Sequence, residues 1–237
     1  MEDLHILEVG SYIVNDTIRQ FLPQKNYIGV DLTEGPGVDV VGDGHALKFD
    51  DAEFDLAISC EVFEHNPFWK ETFRNMYRMT KPGGFIVFTC VSTGRLEHGT
   101  KRSSPQVSPG TQAIQWNYYR NLAVKDFGPI VSDLLFEFIS FSYNKVSQDL
   151  YFVGRKKCAI DEVNAKVFAE KDFLNYVNPA FSKSPAQRGV RGFFREIYRL
   201  PIDISCKFCD EKSFQSFAVN YQNAVFRVRR LMNKLVS

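Results

Sequence analysis

The sequence has no apolar run long enough to cross a bilayer, and its opening residues, MEDLHILEVG, lack a basic segment leading into an apolar one. Neither membrane insertion nor export is expected, so the predicted location is cytoplasmic. Charge of one sign is also lacking. Lys and Arg number 29 against 28 Asp and Glu, a formal net charge of +1, and no global field draws the chain to nucleic acid or an anionic surface. The five cysteines are too few and odd in number for a secreted disulfide framework. Cys60 and Cys90 end apolar runs and read as buried thiols. Glycine is missing where a dinucleotide loop needs it. After the strand-like ILEV comes Gly10 alone, with Tyr12 and Val14 or Asn15 where G-x-G-x-x-G would place the others. A pyrophosphate must approach the backbone closely at a helix N-terminus, which such side chains prevent, so NAD and FAD are disfavoured.

What is present is an ordinary globular composition, 44% hydrophobic and 24% charged over 237 residues, with 22 phenylalanines. HILEV, YIGVD, VDVV, FDLAISC, GFIVFTC, LLFEFISFS and LYFVG read as short strands rich in Val, Ile and Phe. Helical candidates lie between them, a short one over Asp16–Leu22 and a longer one over Pro67–Met79 that stops at KPGG. This alternation predicts an α/β fold: a Rossmann-like, mainly parallel seven-stranded sheet with helices on both faces. Residues 1–157 form the predicted sheet domain. Within it, 91–122 is a long Gly/Pro/Ser-rich tract whose Trp116, Tyr118 and Tyr119 favour an ordered substrate loop or lid. Residues 158–237 read as a C-terminal helical extension. Val163, Val167, Leu174 and Val177 share one helical face, and Phe214, Phe217, Tyr221, Val225, Val228, Leu231 and Leu235 form a second stripe. That stripe could close the monomer or a homodimer.

The chemistry-bearing residues gather at predicted strand ends. Glu8 and Gly10 end strand one, and Asp31 ends strand two, where an acidic residue can accept hydrogen bonds from ribose hydroxyls. Glu8 beside a lone glycine suits a cationic ligand better than a pyrophosphate. S-adenosylmethionine, with a ribose, no phosphates, a sulfonium and an ammonium, has that character.

Taken in order, ILEVGS, YIGVDL, VGDGHALKF, FDLAISCEVFEH and MTKPGGFIVFT resemble the motif set of class I S-adenosylmethionine-dependent methyltransferases, in particular the methyltransferase-11-like group. The resemblance implies that Glu8, Gly10, Ser11 and Asn15 line the methionine end of the cofactor. Asp31 would bind the ribose hydroxyls, with Leu32 beside the adenine. Asp43 would take the adenine amino group, with Gly44 and His45 adding contacts, and Cys60 and Glu61 would flank the sulfonium. S-adenosylhomocysteine would be the product.

His65, at the start of the helix after strand four, is the candidate general base, since an imidazole titrates near neutrality. A capping role near Pro67 would explain it equally well. His98 lies in the long loop. No metal is expected: Cys206 and Cys209 have zinc-knuckle spacing but supply only two of four ligands. Arg227, Arg229, Arg230 and Lys234 read as a solvated helix face. The expected activity is methyl transfer to a small-molecule acceptor, with a sugar or glycan precursor as the class. The alternatives are a non-catalytic binding or assembly module of the same fold, and an RNA methyltransferase, which the balanced charge disfavours.

Overall fold

Side chains alternate along a strand, and in the first strand this alternation separates two layers. Leu7 and Val9 enter a large core on one face, whereas Ile6 joins a smaller cluster on the other. The computed structural model describes residues 4–22, 25–158 and 190–236. Its strands are β1 (Ile6–Val9), β2 (Tyr27–Asp31), β3 (Val40–Val41), β4 (Phe54–Cys60), β5 (Thr80–Val91), β6 (Phe136–Asn144) and β7 (Asp149–Lys156). They form one seven-stranded sheet in the order β3-β2-β1-β4-β5-β7-β6. β1 to β5 pair in parallel, and β7 runs antiparallel to both β5 and β6. The strand order reverses at β1, which has β2 on one side and β4 on the other. A crevice opens outside the carboxyl ends at such a point.

The larger core is closed by helix α1 (Trp69–Met79), whose Trp69, Thr72, Phe73, Met76 and Met79 are buried at three- and four-residue spacing. Phe88 lies near its centre, with ring centroids 4.6 Å from Phe127, 4.8 Å from Phe152 and 5.0 Å from Phe63. On the opposite face Ile6, Tyr27 and Ile58 are covered by Leu4, Leu22 and Leu56. The two faces are thus closed unequally.

Two local outcomes differ from the sequence reading. The segment expected to be helical over Asp16–Leu22 forms a single 3-10 turn, Ile18–Phe21, whose cap Thr17 accepts from the Arg19 N–H. Asn15, Asp16 and Thr17 before it and Pro23 after it leave room for one turn only. KPGG does not stop the chain between helix and strand. β5 begins at Thr80, and Lys81 to Gly84 sit opposite a register shift between Phe54 and Leu56, with Gly83 at φ +74°. The motif is a bulge inside the strand, anchored by Lys81 on Asp55 at 2.8 Å.

Beyond β5 the long tract folds into a 3-10 turn at Pro105–Val107 and the short helix α2 (Pro109–Ala113), and α3 (Val124–Phe127) returns the chain to the core. Two C-terminal helices, α4 (Val190–Phe208) and α5 (Glu211–Val236), pack together through Ile202, Phe214 and Ala218 and meet Leu96 of the tract. Of the predicted stripe on α5, Phe214 is buried, Tyr221 and Val225 are half-buried and Phe217 is exposed. The side chains of Val228, Leu231 and Leu235, and the helix predicted through Val163, Val167, Leu174 and Val177, lie outside the described residues. No described helix is long and apolar enough to cross a membrane.

Candidate functional site

The crevice at the carboxyl ends of β1, β2 and β4 is a cleft of about 540 Å³. Its floor and near wall carry Glu8, Gly10, Ser11 and Asn15 from the end of β1, and Asp31 and Leu32 from the end of β2. Asp43 and Gly44, then Cys60, Glu61 and His65, complete that side. Eleven of the twelve site residues expected from the sequence therefore line one space. His45 is the exception: its ring is tilted against that of Phe68 with centroids 4.4 Å apart, and its Nδ1 lies 2.6 Å from Asp43 Oδ1.

The sheet explains the convergence. The N–H groups of Gly10 and Ser11 both donate to the Val30 carbonyl, at 2.8 and 3.1 Å, which turns the chain across the end of β2. Gly10 adopts φ +87°, and a Cβ there would sit 2.0 Å from Val62 Cγ2, so the close approach of the β1 and β4 ends requires glycine. No helix follows Gly10 directly; the next helical turn begins at Ile18. The loop consequently offers none of the stacked N–H groups that a phosphate needs.

Electrostatically the cleft is acidic. Asp31 accepts from the backbone N–H groups of Tyr12 at 3.0 Å and Leu32 at 2.7 Å, yet burial still raises its pKa. Glu8 is buried and accepts from the Tyr27 hydroxyl at 2.8 Å, and burial likewise raises its pKa. Glu61 has φ +57°, a conformation that costs energy in a residue with a Cβ. Burial, and then the neighbouring Asp149 charge, push its carboxyl up to about 7. Burial pushes the Cys60 thiol up to about 12, so it is not a nucleophile at neutral pH. Arg95 reaches into the same space and is tied to the Ser147 carbonyl at 2.5 Å and to Asp149 at 3.4 Å.

The far wall comes from the 91–122 tract. Arg95, His98, Ser104, Ser108, Thr111 and Trp116 line the cleft, none of them except His98 and Trp116 singled out by the sequence. α2 lies directly over Asp31: a Cβ on Gly110 would meet Asp31 Oδ1 at 2.5 Å. Trp116 packs on Phe68 with centroids 5.7 Å apart. Tyr119 is turned inward, where its hydroxyl donates to the Leu96 carbonyl at 2.9 Å and its ring meets those of His65 and His98. His65 is buried, and desolvation pushes its pKa down to about 3, so the ring is neutral. Next to it stands Glu64, which no sequence pattern marked as functional. It is fully buried, its carboxylate raised well above the usual range, and no hydrogen-bond donor meets either oxygen.

A seven-stranded, mainly parallel sheet whose strand order reverses at β1, with a cleft at the carboxyl ends there, defines a Rossmann-like α/β fold. Residues 10–88 match the family model described as a methyltransferase domain. No curated protein sequence matches the chain. Among solved structures, one similar chain comes from the complex of the Haloferax volcanii Trm112 methyltransferase activator with a methyltransferase. It is 14% identical over 67% of this chain and 84% of that one, with a TM-score of 0.45. A Haemonchus contortus phosphoethanolamine N-methyltransferase 2 bound to S-adenosylhomocysteine is 15% identical, covering 65% of this chain and 49% of its own, at 0.46. The Burkholderia thailandensis 1,6-didemethyltoxoflavin-N1-methyltransferase is 16% identical, covering 65% and 72%, at 0.45. No acceptor or partner of this chain is read from them.

Proposed function

We propose that the chain is an S-adenosylmethionine-dependent methyltransferase acting on a small-molecule acceptor bound against the 91–122 tract. The observation that carries the reading is the convergence of Glu8, Asp31 and Glu61 on one cleft that has no phosphate-binding helix end. With Asp16 and Asp43 also in the lining, five carboxylates facing a single arginine suit a ligand with a ribose and two cationic centres and disfavour a pyrophosphate. Ser11 Oγ, buried in the cleft wall without a partner, is a further polar atom that a bound ligand would satisfy.

In this reading Asp31 holds the ribose diol, with Leu32 beside the base. Asp43 keeps Oδ2 for the adenine amino group while Oδ1 serves His45. Glu8, Gly10, Ser11 and Asn15 surround the methionine end, and Cys60 and Glu61 flank the reacting side. S-adenosylmethionine brings an already activated methyl group, so the chain contributes alignment and the exclusion of water. A hydroxyl acceptor would also lose a proton. His65, with its pKa near 3, accepts one poorly at neutral pH, whereas Glu61, near 7, is matched to the task. The wall of Ser104, Ser108, Thr111 and Trp116 offers hydroxyls beside an aromatic platform, which suits a polyhydroxylated acceptor such as a sugar or glycan precursor.

Calorimetry with S-adenosylmethionine and S-adenosylhomocysteine tests the reading. The wild-type chain should bind both, and Asp31→Ala should weaken binding by about 10-fold or more, the scale of a lost hydrogen bond to a charged group. Absence of binding at millimolar ligand, or unchanged affinity in Asp31→Ala, would overturn it.

A further inference from the structure

We propose that Glu64, His65 and His98 form a binding site for a divalent transition-metal ion at the floor of the cleft. One donor atom from each of the three lies within 4.8 Å of the other two, and Glu64 Oε1 stands 3.8 Å from His65 Nε2. The placement is built by two separate elements. Glu64 and His65 sit on the 3-10 turn Phe63–His65 immediately after β4, and His98 comes from the tract after β5.

Glu64 is the reason the cluster is more than a crowd of polar residues. The side chain is 0% exposed, and neither carboxylate oxygen has a hydrogen-bond partner. The N–H groups of Glu64 and Val91 lie on the carboxylate's side, but neither meets hydrogen-bond geometry. A buried carboxyl group without a partner is costly in either protonation state relative to one that is satisfied. His65 Nδ1 is also buried without a partner. A cation shared by these side chains would satisfy the carboxylate and an imidazole lone pair together. Glu61 and Asp149 stand close enough to raise the carboxylate's pKa further, so the surrounding potential also favours a cation.

His98 is oriented as a metal-binding histidine usually is. Its Nδ1 lies 3.1 Å from the Leu96 carbonyl, which can only accept, so Nδ1 carries the proton and Nε2 keeps its lone pair. A backbone carbonyl on the remote ring nitrogen is the common means of fixing tautomer and ring direction in metal sites. Tyr119 supports the same carbonyl at 2.9 Å.

Two imidazoles and one carboxylate make an N,N,O donor set, which favours Zn²⁺, Fe²⁺ or Co²⁺ over Mg²⁺ or Ca²⁺. Ligand bonds of about 2.0–2.2 Å need the three donors somewhat closer than they now stand, a change that side-chain rotation can supply. His65 and His98 line the cleft, so the positions left over on the ion face the acceptor space, as in open rather than structural metal sites.

The test uses the full chain stripped of metal and titrated with Zn²⁺ by calorimetry and with Co²⁺ by visible absorption. One ion per chain is expected, with a cobalt spectrum of nitrogen and oxygen ligation and no thiolate charge-transfer band. His98→Ala, a substitution in a loop, should weaken Zn²⁺ about 100-fold or more, since even outer partners of metal ligands reach that scale. Glu64→Gln should do likewise. The double variant Cys206→Ser/Cys209→Ser should bind as wild type, and Mg²⁺ should not compete. No binding of either ion, binding unchanged in His98→Ala, or binding lost in the cysteine variant would each overturn the proposal. The titration needs no S-adenosylmethionine, so its outcome is separate from that of the methyltransferase reading.

Discussion

Replacing Tyr27 by Phe removes one oxygen and leaves the ring in place, which makes it a clean probe of the carboxylate at the end of β1. Tyr27 is 5% exposed and packs with Ile6 and Ile58, contacts a phenylalanine keeps. What is lost is the 2.8 Å hydrogen bond to Glu8, itself 5% exposed. A hydrogen bond to a charged group contributes about 1.5–3 kcal/mol, against about 0.5–1.5 kcal/mol for a neutral pair. The loss should therefore depend on whether Glu8 is ionised. Burial already raises its folded pKa above the unfolded value, and the tyrosine bond opposes that rise. A raised folded pKa means that the native state holds the proton more tightly than the unfolded one, so this stabilisation is present at low pH and lost as pH climbs through the folded pKa. Tyr27→Phe pushes the folded pKa further up and enlarges that loss. Urea unfolding should show a destabilisation of about 1.5–3 kcal/mol well above the folded pKa of Glu8, falling to about 1 kcal/mol or less once the pH drops below it. In a Glu8→Gln background the pH dependence of the effect should vanish. An equal loss on both sides of that pKa, or a pH dependence that persists in Glu8→Gln, would refute the assignment of the bond to an ionised carboxylate.

Other outcomes follow from the same structure. Gly10→Ala should destabilise through both its φ of +87° and the clash with Val62, and Val62→Ala should recover the clash but leave the backbone strain of about 1 kcal/mol, which unfolding of the single and double variants measures. Phe88→Ala should cost about 3–5 kcal/mol because its ring meets Phe63, Phe127 and Phe152 at once; a loss under about 1 kcal/mol in urea unfolding would contradict that packing. Glu61, raised to about 7, should make wild-type stability fall as pH rises from its ordinary 4.5 toward 7, and Glu61→Gln should flatten that slope; a slope unchanged in the variant would remove Glu61 as its source. Over the same range, affinity for S-adenosylmethionine should increase as Glu61 ionises.

The parallel half of the sheet was legible because its strands are apolar runs ended by Glu8, Asp31 and Cys60, and because Trp69, Phe73 and Met76 repeat with a helix period. The near wall of the cleft was legible for the same reason, since a strand end places its residues without help from distant parts of the chain. The far wall was not. Arg95, Ser108 and Gly110 reach the cleft through turns with no period, and the pairing of Gly110 with Asp31 depends on how two loops meet. His65 and His98 were each visible, but their approach, with rings 5.0 Å apart, depends on contacts between residues far apart in sequence. No pattern in the sequence marks Glu64, and its burial is what distinguishes it. KPGG shows the opposite failure. Local turn chemistry predicted a break, and pairing with β4 made it a bulge.

The Arg95 carbonyl accepts from Asn121 and from Gln215 of α5, each at 2.9 Å. Gln215 also receives the Glu97 N–H at 2.9 Å, and Glu211 receives that of Asn121 at 3.3 Å. The cleft wall and the C-terminal helix thus share one set of bonds, and thermodynamic linkage makes their coupling reciprocal. Whatever ligand orders Arg95 and His98 should slow amide exchange in the first turns of α5, and a change that frays that end of α5 should be felt as weaker binding in a cleft the helix never enters.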